Sequence, residues 1–153
     1  MFVAAVYAGR LTITVRKARD AAEVEAARDL RIKVFCGEQG VEPELEVDGL
    51  DDEATQVVAL DESGVIATCR LRYPEAGICK LERMVVDARQ RNLGVGGRLM
   101  EWAEEEARDN GAKTMVLNSQ VRAQAFYASC GYEPEGEIFM DADIEHIRMT
   151  KSL

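Results

Sequence analysis

The chain has little of what metal, disulfide or membrane chemistry requires. A single histidine and four cysteines (Cys36, Cys69, Cys79, Cys130) with no Cys-x-x-Cys pair offer no ligand set, so no metal is expected. With no export signal, those cysteines are expected to be reduced thiols in a cytoplasmic protein. No run nears the roughly 18 apolar residues of a membrane span. The opening stretch, residues 1–9, is mildly apolar but lacks the basic flank of a signal peptide and reads as a loose N-terminal extension. Basic charge is also short: 19 Lys and Arg face 28 Asp and Glu, a net charge of −9. That balance excludes a nucleic-acid partner, which demands a basic footprint.

What is present fits one domain over 1–153, since 153 residues suit a single core. Leu11 to Arg16 alternates with β-branched residues and reads as a strand. Asp20 stands three residues before Glu23, a capping-box-like start, and Val24, Ala27, Leu30 and Val34 carry a helix to about Phe35. The next stretch, 38–53, breaks the period and holds eight acids: Glu38, Glu42, Glu44, Glu46, Asp48, Asp51, Asp52 and Glu53. It reads as a loop or short irregular helix. Three strand-like runs follow, Thr55 to Leu60, Val65 to Tyr73 and Ile78 to Val86, with short turns between them that imply an antiparallel meander.

The period then becomes helical at Val95, Leu99, Trp102, Ala103 and Ala107, with a stop at Asn110-Gly111. Thr114 to Leu117 is a short buried strand, Val121 to Cys130 a helix, and Pro134 to Met140 and Ile144 to Thr150 two final strands. The expected class is α/β (α+β): a mixed, mostly antiparallel sheet of about seven strands with helices on both faces. Such a sheet leaves edges, so a homodimer through the final strand is an arrangement to look for.

The sharpest local feature joins the run ending Val85-Val86 to the helix through Arg91-Asn92-Leu93-Gly94-Val95-Gly96-Gly97. Glycines let a ligand approach the backbone. The first amides of a helix lack internal partners, and its dipole favours anions there, so a pyrophosphate suits the site. Arg91 and Arg98 could add charge-assisted contacts. Gly97 is followed by Arg98-Leu99 rather than Lys-Ser/Thr, which argues against a P-loop. The antiparallel meander before the turn argues against a dinucleotide fold.

Arg-x-x-Gly-x-Gly at 91–96, placed after the fourth strand, resembles the coenzyme A signature of the GCN5-related N-acetyltransferases (GNAT). Gln120 to Tyr132 looks like that family's second motif, with Gln120 where many members carry asparagine. Arg31 to Val41 with Glu46-Val47-Asp48, and the blocks Gly136 to Phe139 and Ile144 to Met149, are similar to its ElaA/YjcF-like branch; Gln56 stands where that branch often has histidine.

The resemblance implies an enzyme that moves an acetyl group from acetyl-CoA, as co-substrate, to a primary amine of a small molecule or peptide. Met84, Val85 and Val86 would face the pantetheine arm. The turn Arg91, Asn92, Leu93, Gly94, Val95, Gly96 and Gly97 would hold the pyrophosphate, joined by Gln120 and Phe126. Tyr127 would be the general acid for the departing thiolate. Glu82 and His146 are the candidates for the base that takes the amine proton; His146 is the only side chain that ordinarily titrates near neutrality. Cys36 lies near the acceptor mouth and reads as packing. The acidic segment suggests a cationic acceptor. A non-catalytic acyl-CoA-binding module on the same fold is the alternative, because fold alone does not fix function.

Overall fold

The computed structural model describes residues 12–153. The expected extension at 1–9, and Leu11 at the head of the first expected strand, lie outside them. Seven strands form one sheet: β1 Thr14–Lys17, β2 Thr55–Asp61, β3 Gly64–Glu75, β4 Ile78–Val86, β5 Thr114–Gln120, β6 Glu133–Asp141 and β7 Ile144–Ser152. Their order is β1-β2-β3-β4-β5-β7-β6. Only the β4–β5 pair is parallel. The mixed, mostly antiparallel sheet is the one the sequence pattern predicts. The final strand, however, lies inside the sheet, between β5 and β6, so the edge at this end is β6. Among the described residues no helix is long and apolar enough to cross a membrane.

Two helices cover the two faces. Helix α1, Ala21–Arg31, starts where Asp20 accepts from the Glu23 amide at 2.9 Å and Glu23 in turn accepts from the Arg19 amide. A short helix α2, Pro43–Glu46, lies in the acidic segment. Helix α3, Val95–Asp109, buries Val95, Leu99, Ala103 and Ala107 of the expected stripe, together with Met100, while Trp102 packs partly buried against the same core. These pack on Val57, Ala59, Cys79 and Leu81 of the sheet. Each large apolar side chain so buried contributes about 1.5–3 kcal/mol. The other face carries a smaller cluster in which Leu30 and Val34 meet Val85. A short helix α4, Gln124–Ser129, follows a 3-10 turn at Val121–Ala123.

Three departures from regular geometry shape the site. First, β4 carries a bulge. Thr68 pairs with Val85 and Arg70 with Glu82, so two β4 residues, Arg83 and Met84, stand opposite Cys69. Arg83 takes φ +55°, a left-handed conformation costly for a side chain of this size. The extra residue reverses the alternation. Cys79 and Leu81 point toward α3, and beyond the bulge it is Met84 and Val86 that do so, while Val85 joins the α1 cluster. Second, β4 and β5 pair only from Ile78–Thr114 to Leu81–Leu117 and then part. Third, α1 does not simply run to Phe35: it widens into a π-helix over Ile32–Glu38, closed by Gln39 N to Val34 O at 3.1 Å. Such widened turns recur at functional sites.

Candidate active site

Where β4 and β5 part, a cleft of about 1000 Å³ opens. Its walls come from the π-helix, the bulged half of β4, the start of α3, the end of β5 and α4. The edge of β4 from Glu82 to Val86 has no β5 partner, leaving main-chain groups for an extended ligand. Of the expected site residues, all three catalytic candidates line this cleft, and so do eleven of the twelve expected for the coenzyme. Leu93 does not: its side chain is half exposed at the crest of the turn.

The glycine turn has the geometry of an anion cradle. Gly94 caps α3 at φ +82°, and the first intrahelical bond is Arg98 N to Gly94 O, so the amides of Val95, Gly96 and Gly97 remain free. Gly96 is glycine for a different reason. A Cβ there would stand 3.1 Å from Phe126 Cζ and 3.3 Å from Met84 Cε. The helix start is thus drawn against both the second motif and the open edge of β4. Arg91 is folded back, donating from Nε to Val86 O at 3.0 Å and pairing with Glu38 at 2.9 Å. Arg98 does not serve the turn: its guanidinium donates to Ile13 O at 2.8 Å, which ties α3 to the segment before β1.

Tyr127 lies edge-on to Phe126, and its hydroxyl reaches Met84 Sδ at 3.5 Å, beside the unpaired β4 edge. Burial pushes its phenol well above the ordinary value, so it keeps its proton at neutral pH. His146 pairs across β7 with Gln120 and stacks on Phe139 with ring centroids 5.9 Å apart. Its Nδ1 lies 2.7 Å from Ile144 O, a carbonyl that can only accept, so Nδ1 donates there, and in the neutral ring Nε2 is the acceptor. Gln120 donates to Gln39 at 2.7 Å and accepts from Arg122, linking the end of β5 to the π-helix wall.

Beside the cleft runs a largely buried network of charges that the residue pattern did not announce, of which Asp48, Arg70, Arg72, Lys80, Glu82 and Arg83 line the cleft itself. Arg31 and Glu46, 1% and 3% exposed, form a two-bonded pair, with Arg31 Nη1 also on Asp51 at 2.9 Å. Arg70, 1% exposed, reaches Asp48, Asp51 and Glu82. Arg72 binds Glu82 through two nitrogens, at 3.0 and 2.7 Å, and Lys80 approaches it at 3.3 Å. Gln56 adds a bond to Asp51.

This arrangement bears on two expectations. Burial alone would push the Glu82 carboxyl up, but the hydrogen bonds from Arg72 and Arg70 outweigh it and hold the group at about 2. Its affinity for a proton at neutral pH is therefore small, which weighs against it as the base. The acidic segment, in turn, is not a free anionic rim. Glu46, Asp48 and Asp51 are matched by Arg31, Arg70 and Arg83 and Glu38 by Arg91, which leaves Glu42, Glu44, Asp52 and Glu53 of the eight acids without an ion pair among the described residues. Cys36 is outside the cleft wall, and burial raises its thiol pKa, in keeping with packing. One signal in the sequence did point to the network: Arg70 stands in the apolar run Ala67-Thr68-Cys69-Arg70-Leu71, and an arginine inside a core strand needs carboxylates.

An acetyltransferase (GNAT) domain family matches residues 18–153 of the chain. The chain belongs to the GNAT superfamily. It is 37% identical over 135 residues to the uncharacterized N-acetyltransferase YjcF of Bacillus subtilis, covering 88% of this chain and 96% of that protein. Among solved structures it superimposes on an acyl-CoA N-acyltransferase from Pseudomonas aeruginosa with a TM-score of 0.79 and 30% identity, over 92% of this chain and 98% of that one. Escherichia coli ElaA shares the fold with a TM-score of 0.80 at 24% identity, over the same shares. These relatives fit the ElaA/YjcF-like branch of GNAT enzymes, and the chain is an acyl-CoA N-acyltransferase.

Proposed function

We propose that the protein takes an acetyl group from acetyl-CoA and transfers it to a primary amine of a small molecule or peptide, by direct attack of the amine on the thioester. The observation that carries this reading is the Tyr127 hydroxyl, held on Met84 at the unpaired edge of β4, in the same cleft as the free amides of Val95 to Gly97. The amides would take the pyrophosphate, with Arg91 exchanging Glu38 for a phosphate oxygen. The β4 edge at Met84 and Val85 would take the pantetheine arm and bring the sulfur toward Tyr127.

In the transfer a C–N bond forms, the C–S bond breaks, the nitrogen loses a proton and the sulfur gains charge. Tyr127 is suited to the sulfur as a hydrogen-bond donor. Even an ordinary phenol, at about 10, is a weaker acid than a thiol at about 8.5. Burial weakens it further, so complete transfer of its proton to sulfur would run uphill. The bond stabilises charge as it grows, and the proton that finally neutralises the sulfur comes from the nitrogen. His146, with Nε2 free to accept, is assigned as the base that collects that proton, directly or through water. Glu82 is assigned to hold Arg70 and Arg72 in place.

The test is thiol release and intact-mass detection of acetylated product with acetyl-CoA and a panel of amines. Tyr127→Phe is expected to lower kcat by about 100-fold, in the range for loss of one positioned donor, with the acetyl-CoA Kd within threefold. Undiminished turnover removes Tyr127 from the mechanism. Tight acetyl-CoA binding with no transfer to any amine overturns the enzymatic reading itself.

A further inference from the structure

The charges around the cleft are unevenly distributed, and the imbalance bears on the acceptor. Glu38 is matched by Arg91, and Asp48 by Arg70 and Arg83. Asp141, near His146, is the one cleft carboxylate without a basic partner among the described residues. The cations are less well matched. Arg70, Arg72 and Lys80 converge on the single carboxylate of Glu82. Arg70 has Asp48 and Asp51 besides, but among the described residues Glu82 is the only carboxylate that Arg72 and Lys80 reach. Among the residues that line the cleft, six cations (Arg70, Arg72, Lys80, Arg83, Arg91 and Arg122) stand against four carboxylates (Glu38, Asp48, Glu82 and Asp141). A protein of net charge −9 thus has a cleft floor with positive charge to spare.

Arg72 and Lys80 face each other across β3 and β4, both partly exposed and both lining the cleft. Arg72 binds Glu82 through Nε and Nη2, which leaves Nη1 without a partner among the described residues. Lys80 stands 3.3 Å from Glu82 as an ion pair, and its ammonium carries three N–H donors. Beside them on β5 is Asn118, exposed to the cleft. These donors lie away from the pyrophosphate turn. Lys80 is six residues before Val86, ~20 Å of strand at roughly 3.3 Å per residue. It is four residues from Met84, ~13 Å by the same measure, a span that two long side chains shorten. They therefore stand on the acceptor side of the thioester position.

Resting on the acyl-transfer reading above, we propose that the acceptor is an amine that also carries an oxyanion, a carboxylate or a phosphonate, bound by Arg72 Nη1 and Lys80 Nζ while its amino group lies toward His146 and Asp141. A second anion gives each of these cations the partner that Glu82 alone does not supply. The guanidinium fork suits a planar or tetrahedral oxyanion. A neutral alkyl amine would leave the excess charge unmet.

The experiment compares matched acceptors with the full chain and saturating acetyl-CoA: glycine, β-alanine and aminomethylphosphonate against glycinamide, β-alaninamide and ethylamine. The expected result is a kcat/KM at least tenfold higher for the anionic member of a pair, the scale of one charge-assisted bond. The carboxylate and phosphonate arms show which oxyanion is preferred. Lys80→Gln and Arg72→Gln are expected to lower that selectivity ratio about tenfold, and Lys80→Glu to reverse its sense. A second reading needs no variant: raising salt from 0.05 to 0.5 M should raise KM for the anionic amine and leave that of its amide in place. Equal use of acids and amides by the unaltered protein overturns the oxyanion proposal and leaves acyl transfer standing. Acetyl-CoA binding without transfer to any member of the panel overturns the transfer reading and this proposal with it.

Discussion

Replacing Arg31 by methionine tests whether the buried charges hold the acceptor side of the cleft in place. Methionine keeps an unbranched apolar stem and removes the charged guanidinium. The carboxylate of Glu46, 3% exposed, then loses both of its short bonds and retains only Arg83 Nε at 3.7 Å. Asp51 keeps Arg70, Arg28 and Gln56, so its loss is partial. Stripping one partner from a buried pair costs about 3–5 kcal/mol, because the other charge stays out of water uncompensated. In a chain of this size each kcal/mol lowers the thermal midpoint by about 2–4 °C, so a fall of roughly 6–20 °C is expected. Circular dichroism on heating, with urea unfolding at 25 °C, reads both quantities. The double variant Arg31→Met/Glu46→Leu removes the stranded charge and should recover half or more of the loss, since apolar residues can replace a buried pair at little cost. An Arg31→Met loss below about 1 kcal/mol, or a double variant as unstable as the sum of the singles, would show that water reaches the pair and refute the argument.

Two further predictions concern the turn and the carboxylates. Gly96→Ala sets a Cβ 3.1 Å from Phe126 and 3.3 Å from Met84, whereas Gly97→Ala meets nothing within 4 Å. Both gain up to about 1 kcal/mol of helix propensity. By calorimetry Gly96→Ala should bind acetyl-CoA about tenfold more weakly, while Gly97→Ala should not lose stability; the same affinity in Gly96→Ala would detach the turn from the coenzyme. Acid should destabilise the fold through Glu82 and Asp51, both held at about 2 against unfolded values near 4. Their folded pKa values are depressed, so their contribution is complete above the unfolded values and disappears as pH falls from about 4.5 to 2. Urea midpoints should drop steeply over that window, and less steeply in Glu82→Gln; a flat profile from pH 5 to 3 would count against the network.

The strands, α3 and the glycine turn were legible because their signals are local: alternation, a helical stripe, and glycines where a left-handed cap and a close approach require them. The boundaries that slipped were set by long-range contacts. β5 runs on to Gln120 because it pairs with β7 as far as His146. The bulge at Arg83 is written in the sequence, since the apolar positions shift parity from Cys79 and Leu81 to Met84 and Val86, but a single parity shift is easily lost in a strand of nine residues. The ion pairs of the acidic segment escaped notice for a different reason. Its partners Arg31, Arg70 and Arg83 lie 15 to 37 residues away, and no local period announces a pairing at that distance.

The placement of that network follows from what the α1 face of the sheet lacks. On the α3 face, side chains such as Leu99, Met100 and Leu117 pack a broad apolar core. On the α1 face the buried apolar cluster is small: Leu30, Val34 and Val85, with Phe35 and Val65 at its margin. That is too little to fix the π-helix and the segment through Asp51, both of which must stand in one position for the cleft to have a shape. Directional bonds supply what area does not. Arg31 ties α1 to the acidic segment, Arg70 ties that segment to β3, and Glu82 ties β3 to the bulged strand β4. Apolar packing tolerates sliding, whereas two-bonded guanidinium–carboxylate pairs fix register. The cations that set this register also set the potential of the cleft floor. A change of acceptor charge preference and a change of stability should therefore arise together from substitutions in the network, and separately only at its exposed ends, Arg72 and Lys80.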